Sequence, residues 1–139
     1  MKAGAGALFL CAKTKRVLLN LRSPHKTHKL TWSLWGGMAE KNETPKECLI
    51  REITEEVGFL PEFSKIYPFD IYESRNRDFR YYTFVCVVDN EFIPTINAEA
   101  VGYCWTRLGI WPKPLHDGVR NTFATRKGES LLEIISSQH

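Results

Sequence analysis

The sequence lacks the features of secreted, disulfide-bonded or membrane-spanning proteins. It has only four cysteines, which are widely spaced and form no C-x-x-C pair, so neither a disulfide framework nor a zinc site is predicted. No apolar run approaches the roughly 20 residues that a transmembrane helix needs. The opening segment, MKAGAGALFLCA, continues into KTKRVLLNL as a hairpin would, which argues against a signal peptide. These absences favour a cytoplasmic protein without a membrane partner.

A strong charge of either sign is also missing. The 139 residues include 19 Lys and Arg and 16 Asp and Glu, so the net charge is +3. This charge is too small to predict binding to nucleic acid, and it suits an anionic small molecule equally well. The chain contains no repeat, low-complexity tract or linker, and its apolar fraction of 43% is enough for a buried core. We therefore expect a single domain, residues 1–139.

What the chain does contain is a series of strand-like segments arranged as hairpins. Residue patterns predict strands at about 6–12 and 17–21, in LTWSLWGG, in PEFSKIYPFDIY paired with FRYYTFVCVV, and in VGYCWTRL. The segments DGVRNTFATR and SLLEIISS are predicted to be helical. Because no regular β-α-β alternation occurs, the pattern favours a mixed sheet. In the last helix, the residues expected to pack against the body are Leu131, Leu132, Ile134 and Ile135.

A helix with clear end signals follows the two glycines of LTWSLWGG. Thr44 is placed as its N-cap and Pro45 as its first residue, and Glu47 completes a capping box with Thr44. Gly58 is the expected stop, because glycine readily adopts the left-handed conformation at a helix end.

One arc of this helix carries converging carboxylates. At about 100° per residue, Cys48, Glu52, Glu55 and Glu56 fall within an arc roughly 100° wide. Like charges this close repel and raise one another's pKa values, so the arrangement needs a compensating cation. The adjoining arc is apolar and is expected to face the core; it contains Leu49, Ile50, Ile53 and Val57.

Clustered carboxylate oxygens suit a hard divalent cation. Mg²⁺ and Mn²⁺ prefer such ligands, and Mg²⁺ commonly completes its coordination with water and substrate phosphates. The arrangement therefore predicts a Mg²⁺ cofactor, for which Mn²⁺ can substitute, and a phosphorylated ligand. A solvated acidic face is the common alternative for a helix rich in glutamate.

The spacing of the surrounding residues decides against that alternative. From Gly37 the sequence reads Gly, five residues, Glu43, seven residues, and then REITEEVGF at 51–59. This pattern resembles the Nudix box, G-x5-E-x7-R-E-U-x-E-E-x-G-U with U an apolar residue, and every specified position is filled. With average residue usage, a chance match in a chain of this length occurs far less than roughly once in a million. Looser similarity extends upstream through VLLNLRS and downstream to VGYCW.

The resemblance implies the Nudix fold, an α+β architecture (α/β/α sandwich) with a mixed central β-sheet, an additional antiparallel hairpin and the Nudix-box loop and helix. It implies hydrolysis of a nucleoside diphosphate linked to a group X, with water attacking one phosphorus and the cation activating that water. Arg51 is expected to orient Glu43 or Glu52 through a charge-assisted pair. The metal ligands that it implies are Gly37, Glu52, Glu55 and Glu56.

The residue that accepts the proton from the attacking water is left open. Glu55 or Glu56 is a candidate within the box, and Glu99, on the loop before VGYCW, is a candidate outside it. Asp89 and Glu91 are weaker alternatives. The predicted catalytic group is therefore Arg51, Glu55, Glu56 and Glu99.

Contacts to the substrate are expected from basic and aromatic residues near the box. Arg22, Lys26, His28 and Lys29 form a positive cluster suited to phosphates. Arg22 is the strongest candidate because a guanidinium matches phosphate geometry, whereas loop lysines and histidines are usually solvated. Trp35 is a candidate for stacking on a base, although a tryptophan beside a strand is more often part of the core. The predicted substrate-binding set is Arg22, Glu43 and Trp35.

Three functions fit the sequence. The first is Mg²⁺-dependent hydrolysis of a small nucleotide derivative such as ADP-ribose, a dinucleoside polyphosphate or a (deoxy)nucleoside triphosphate. The second is a non-catalytic Nudix-fold domain that binds a nucleotide and regulates a partner, and the intact set of glutamates argues against it. The third is removal of 5′ caps from RNA, which needs a broader basic surface. The expected partner is a small-molecule nucleotide, with no nucleic acid, and the protein acts as a monomer or a homodimer.

Overall fold

A mixed β-sheet of seven strands forms the centre of the molecule, with helices packed on both of its faces. The computed structural model describes residues 1–139. The strands are β1 (Lys2–Cys11), β2 (Arg16–Arg22), β3 (Trp32–Ser33), β4 (Trp35–Met38), β5 (Lys65–Glu73), β6 (Phe79–Val88) and β7 (Ala100–Arg107), and the helices are α1 (Pro45–Val57), α2 (Asp117–Thr122) and α3 (Arg126–Ser137).

The strands pair in the order β3-β2-β1-β6-β5, with β4 beside β1 and β7 beside β2. Strands β1 and β6 are parallel and in register over their whole length, from Lys2 opposite Phe79 to Cys11 opposite Val88. All other pairings are antiparallel, including the β1–β2 and β5–β6 hairpins. The predicted hairpins and the mixed character of the sheet are therefore confirmed.

Strand β1 is buried on both faces and separates two hydrophobic cores. Ala7 and Phe9 point into the first core, which is completed by the apolar arc of α1. Leu8 and Leu10 point into the second core, on the side of α2 and α3. Because side chains alternate along a strand, a continuous apolar run such as ALFLCA serves two layers at once.

Helix α1 begins and ends as its sequence signals predict. The Thr44 hydroxyl accepts a hydrogen bond from the Glu47 backbone N–H at 3.1 Å, and the Glu47 carboxylate accepts one from the Thr44 N–H at 2.9 Å. Gly58 ends the helix in the left-handed conformation, with φ of 90°. The cap at Thr44 satisfies orphan donors at the helix start, and the apolar arc of α1 packs in the first core.

Helix α3 packs with a narrower face than expected. Leu132 is fully buried in the second core and Ile135 packs against it, but Leu131 and Ile134 are 38% and 54% exposed. The prediction that all four residues pack inward is wrong for Leu131 and Ile134. Two of every four consecutive positions on a surface helix point away from the core, because the repeat is 3.6 residues.

The remaining global predictions concern cysteines and membrane spans. All four cysteines are free thiols, in agreement with the expected absence of disulfides. None of the three helices combines the length and the apolarity required to cross a bilayer.

The contact between β1 and β4 depends on the absence of a side chain at Gly36, and this is testable. A Cβ at position 36 would overlap the Ala5 carbonyl oxygen and the Gly6 Cα. We expect Gly36→Ala to lower the free energy of unfolding by about 2 kcal/mol or more, because backbone atoms cannot rotate away. Urea denaturation measures this change. The matched control is Gly102→Ala on β7, where the nearest atom would lie at 3.8 Å and the expected change is within about 0.5 kcal/mol.

Candidate active site

Three carboxylates meet at one end of the sheet. Glu52 and Glu56 lie one turn apart on α1, and Glu99 comes from the segment that leads into β7. One carboxylate oxygen from each residue lies within 4.8 Å of those of the other two. Such a set of carboxylate oxygens suits a hard divalent cation.

Each carboxylate of this cluster has a different polar partner. Glu56 accepts a hydrogen bond from the Gly36 backbone N–H at 2.7 Å. Glu52 accepts one from Arg51 Nη1 at 2.9 Å, and Glu99 lies 3.3 Å from the Lys26 ammonium. Glu56 is only 8% exposed, whereas the Glu99 side chain is 48% exposed. The cluster thus reaches from the protein interior to solvent.

Burial and mutual repulsion disfavour the charged state of these groups. Burial raises the pKa of Glu56 to about 8 against the hydrogen bond from Gly36, and the neighbouring Glu99 and Glu52 carboxylates add to the rise. Burial also raises the pKa of Glu52, although Arg51 acts in the opposite direction. A bound cation would stabilise the charged carboxylates, so the chemistry of the donor set fits a divalent metal ion.

The backbone at Gly37 is shaped to receive the Glu52 carboxylate. A Cβ at position 37 would stand 2.6 Å from the Glu52 carboxyl carbon and 2.7 Å from both of its oxygens. A side chain at position 37 would therefore displace the Glu52 carboxylate from its present place. The Gly37 carbonyl lies 3.5 Å from the Cys48 thiol. Its proposed role as a metal ligand stays a prediction.

Glu55 lies outside the cluster that Glu52 and Glu56 form. Its side chain is 54% exposed, and its nearest charged partner is Arg51 Nη1 at 3.5 Å. On the helix, position 55 is separated by about 60° from position 52 and by about 100° from position 56, so it points toward solvent beside the cluster. The expected convergence is thus found for two glutamates of the helix, and metal binding by Glu55 stays a prediction.

Arg51 pairs with two of the carboxylates, as expected. Its Nε and Nη2 donate to the two oxygens of Glu43 at 2.7 and 2.9 Å, and its Nη1 donates to Glu52. The bond from Arg51, together with one from the Glu40 backbone N–H, lowers the pKa of Glu43 to about 2. These donors contact both oxygens of Glu43, so its carboxylate orients Arg51 in this structure. The assignment of Glu43 to substrate contact stays a prediction.

Trp35 lies in the protein interior. Its ring is fully buried in the first core, and its Nε1 donates to the Leu18 carbonyl at 3.1 Å. The prediction that Trp35 stacks on a base is therefore wrong. Trp35 lies on a strand whose side chains at this point face α1, which the local sequence alone does not reveal.

The basic residues near the cluster have hydrogen-bond or ring contacts within the protein. Arg22 Nε donates to the Thr27 carbonyl at 2.8 Å, so the guanidinium is tethered at the start of the loop 23–31. The rings of His28 and His116 lie 4.6 Å apart. His116 caps α2 by accepting a hydrogen bond from the Gly118 N–H, and burial followed by the charges of His28 and Arg22 lowers its pKa to about 4. Phosphate binding by Arg22 stays a prediction.

Glu91 is not a suitable proton acceptor, because its carboxylate is paired with Arg16. Arg16 binds both oxygens of the Glu91 carboxylate, and Thr14 donates to it as well. These contacts lower the pKa of Glu91, so it is a structural carboxylate away from the cluster. Of the two weaker alternatives, Asp89 is likewise absent from the cluster.

Tyr81 is a residue near the site that the sequence reading missed. Its ring lies along β1 over Gly4, and its hydroxyl lies where a side chain at Gly6 would stand. Burial raises the pKa of Tyr81, the charge of Glu56 adds to the rise, and the charge of Arg22 opposes it. The only available signal was the alternation of Gly4 and Gly6, which indicates that something large covers this face of β1.

Comparison with known proteins identifies the family. A family model described as the NUDIX domain matches residues 1–125. A dihydroneopterin triphosphate diphosphatase from Haemophilus influenzae is 33% identical over 107 residues, which cover 66% of this chain and 65% of the relative. An 8-oxo-dGTP diphosphatase from Proteus vulgaris is 40% identical over 58 residues, which cover 41% of this chain and 51% of the relative. The chain therefore spans between half and two thirds of these relatives.

The fold is shared with solved structures of the same family. A Nudix hydrolase from M. smegmatis has a TM-score of 0.71 to this chain at 21% identity, covering 98% of this chain and 85% of that one. The resemblance drawn from the box and the α+β fold with a mixed sheet are thus confirmed.

The raised pKa of Glu56 predicts how stability depends on pH in the metal-free protein. Its pKa rises from the ordinary value of 4.5 to about 8 on folding, so the folded state loses stability as pH rises from 4.5 to 8. Glu56→Gln removes this loss and keeps an acceptor for the Gly36 N–H. We expect the variant to match the wild type near pH 4.5 and to be more stable by about 5 kcal/mol above pH 8.

Urea denaturation in the presence of chelator, repeated at several pH values, measures this difference. The control is Glu133→Gln on α3, an exposed position for which no pH-dependent difference is expected. If the stability of Glu56→Gln runs parallel to that of the wild type from pH 4.5 to 9, burial does not perturb Glu56 as described.

Proposed function

Because the chain belongs to the Nudix family, we propose that it hydrolyses a diphosphate linkage in a nucleoside diphosphate derivative, using Mg²⁺ bound by its carboxylate cluster. The observation that carries this proposal is the meeting of Glu52, Glu56 and Glu99 within 4.8 Å. A carboxylate set that is this crowded and half-buried is costly without a cation, so a purely structural role does not explain it.

Glu52, Glu56 and Glu99 would hold the cation, and Mn²⁺ would substitute for Mg²⁺ because both prefer oxygen ligands. When bound, such an ion polarises phosphate oxygens and lowers the pKa of the attacking water. Arg51 holds Glu52 in place through its bond at 2.9 Å. The rigid Gly36 N–H does the same for Glu56.

Glu55 is the residue that we assign to accept the proton from the attacking water. It lies on the same helix beside the cluster, it is half-exposed, and its carboxylate has no closer charged partner than Arg51 at 3.5 Å. A general base must have a free oxygen, and the three cluster carboxylates would be occupied by the cation. If Glu99 does not hold the cation, it is the alternative acceptor, because it is the most exposed member of the cluster.

The substrate class that we favour is a nucleoside triphosphate or a triphosphate of similar shape. Two relatives carry names that specify a triphosphate, dihydroneopterin triphosphate and 8-oxo-dGTP. Arg22, held at the base of the loop 23–31, is the residue that we assign to the phosphates.

The four free thiols favour a reducing compartment, and we place this activity in the cytoplasm.

Substitution of single glutamates separates the proposed roles. We expect Glu52→Gln or Glu56→Gln to weaken binding of Mn²⁺ and to lower kcat by about 100-fold or more, because each removes a charged ligand. We expect Glu55→Gln to lower kcat by about 100-fold with little change in Mn²⁺ affinity, because it removes the proton acceptor alone. Steady-state kinetics and calorimetric titration with Mn²⁺ measure the two effects, with Glu133→Gln as the control. Activity of Glu55→Gln within a few-fold of the wild type would reassign the base to Glu99.

A panel of nucleotides with identification of the products tests the reaction itself. We expect turnover of triphosphates to a nucleoside monophosphate and pyrophosphate in Mg²⁺, loss of turnover in chelator, and recovery on adding Mg²⁺ or Mn²⁺. The panel includes ADP-ribose, a dinucleoside polyphosphate and capped RNA. Preferred turnover of capped RNA would support the cap-hydrolase alternative, and binding without turnover of any compound would support a non-catalytic regulator.

A further inference from the structure

The loop 23–31 is anchored beside the carboxylate cluster. The Ser23 backbone N–H donates to the Glu99 carbonyl at 3.0 Å, and Ser23 is 2% exposed with an unpartnered hydroxyl. The Lys26 N–H donates to the Ser23 carbonyl at 3.3 Å, which turns the chain back toward the site. At the base of the loop, Arg22 and Leu30 are joined by a backbone hydrogen bond of 3.0 Å. The loop therefore holds the Lys26 side chain next to Glu99.

The partners of the three cluster carboxylates differ in how easily they can leave. Glu56 is bound by the backbone of Gly36, which cannot move without breaking the sheet. Glu52 is bound by Arg51, whose guanidinium also contacts Glu43 and the Met38 carbonyl.

Glu99 is bound by the Lys26 ammonium. The Lys26 ammonium makes one hydrogen bond, which is the bond of 3.3 Å to Glu99. A lysine side chain is flexible and carries a point charge, so it can exchange one anionic partner for another.

We propose that Lys26 is an exchangeable phosphate-binding residue, which pairs with Glu99 before ligands bind and turns to a substrate phosphate when Glu99 binds the cation. This inference rests on the proposed function, because it takes the cluster as the cation site. The ammonium lies one hydrogen-bond length from a cluster carboxylate, so a phosphate bound at the cluster is within reach of its four-carbon stem. The sequence places Lys26 in a basic loop near the box, and only the structure shows its pair with Glu99.

The proposal predicts opposite effects on two ligands. The Lys26 ammonium at Glu99 repels a cation bound to that carboxylate and competes for its Oε1, so removing the ammonium should favour the bare cation. The same ammonium stabilises bound phosphate, so removing it should disfavour pyrophosphate. If Lys26 merely supported the loop, its substitution would weaken the binding of both ligands or of neither. This difference separates exchange from a structural role.

The experiment compares wild type, Lys26→Met and Lys26→Arg by calorimetric titration. We expect Lys26→Met to bind Mn²⁺ alone about two- to fivefold more tightly, as expected for loss of a half-exposed ion pair. We expect the same variant, saturated with Mg²⁺, to bind inorganic pyrophosphate about tenfold more weakly, and Lys26→Arg to restore that affinity. The matched control is Lys29→Met, an exposed lysine of the same loop, for which neither affinity should change.

The outcomes separate this proposal from the one on which it rests. If wild type binds Mn²⁺ and Glu56→Gln abolishes that binding, the cation site stands, and unchanged or jointly weakened affinities in Lys26→Met then overturn the role of Lys26 alone. If wild type does not bind Mn²⁺ at all, both proposals are overturned. Circular dichroism and the Tm of each variant show whether a lost affinity comes from lost folding.

Discussion

The close approach of helix α1 to the end of strand β4 is the constraint on which the site depends. Glu56 reaches the Gly36 N–H, and Glu52 lies where a side chain at Gly37 would stand. Gly37 therefore makes room for the Glu52 carboxylate, and Gly36 lets β4 lie close to β1 while its N–H binds Glu56. The caps at Thr44 and Gly58 hold the helix in this orientation, and its apolar arc holds it against the sheet.

The close approach of α1 to β4 has an electrostatic consequence for the carboxylate cluster. Partly buried carboxylates are destabilised as anions, which is expressed in the raised pKa values of Glu52 and Glu56. Arg51, the Gly36 N–H and Lys26 offset part of that cost, each from a different segment of the chain. The cost that remains is what the proposed divalent cation would offset, at the expense of local stability in its absence.

Most of the fold could be predicted because its signals are local. The capping box, the hairpins and the mixed sheet follow from residues that are near one another in sequence. The errors occurred where a residue's surroundings come from elsewhere in the chain. Leu131 and Ile134 are apolar and helical but face solvent, and Trp35 faces a core instead of a ligand. Apolar character alone does not say which side of an element another element will cover.

The amino-acid sequence by itself determined the family, the helix 45–57 and the presence of Glu52 and Glu56 on one side of it, because the angles between helix positions depend only on spacing. Tertiary structure alone decided that Glu99 joins them and that Glu55 stays outside. It also decided that Lys26 and Tyr81 lie next to the site. Distances between residues far apart in sequence depend on how strands, helices and loops pack, and no local pattern encodes that packing.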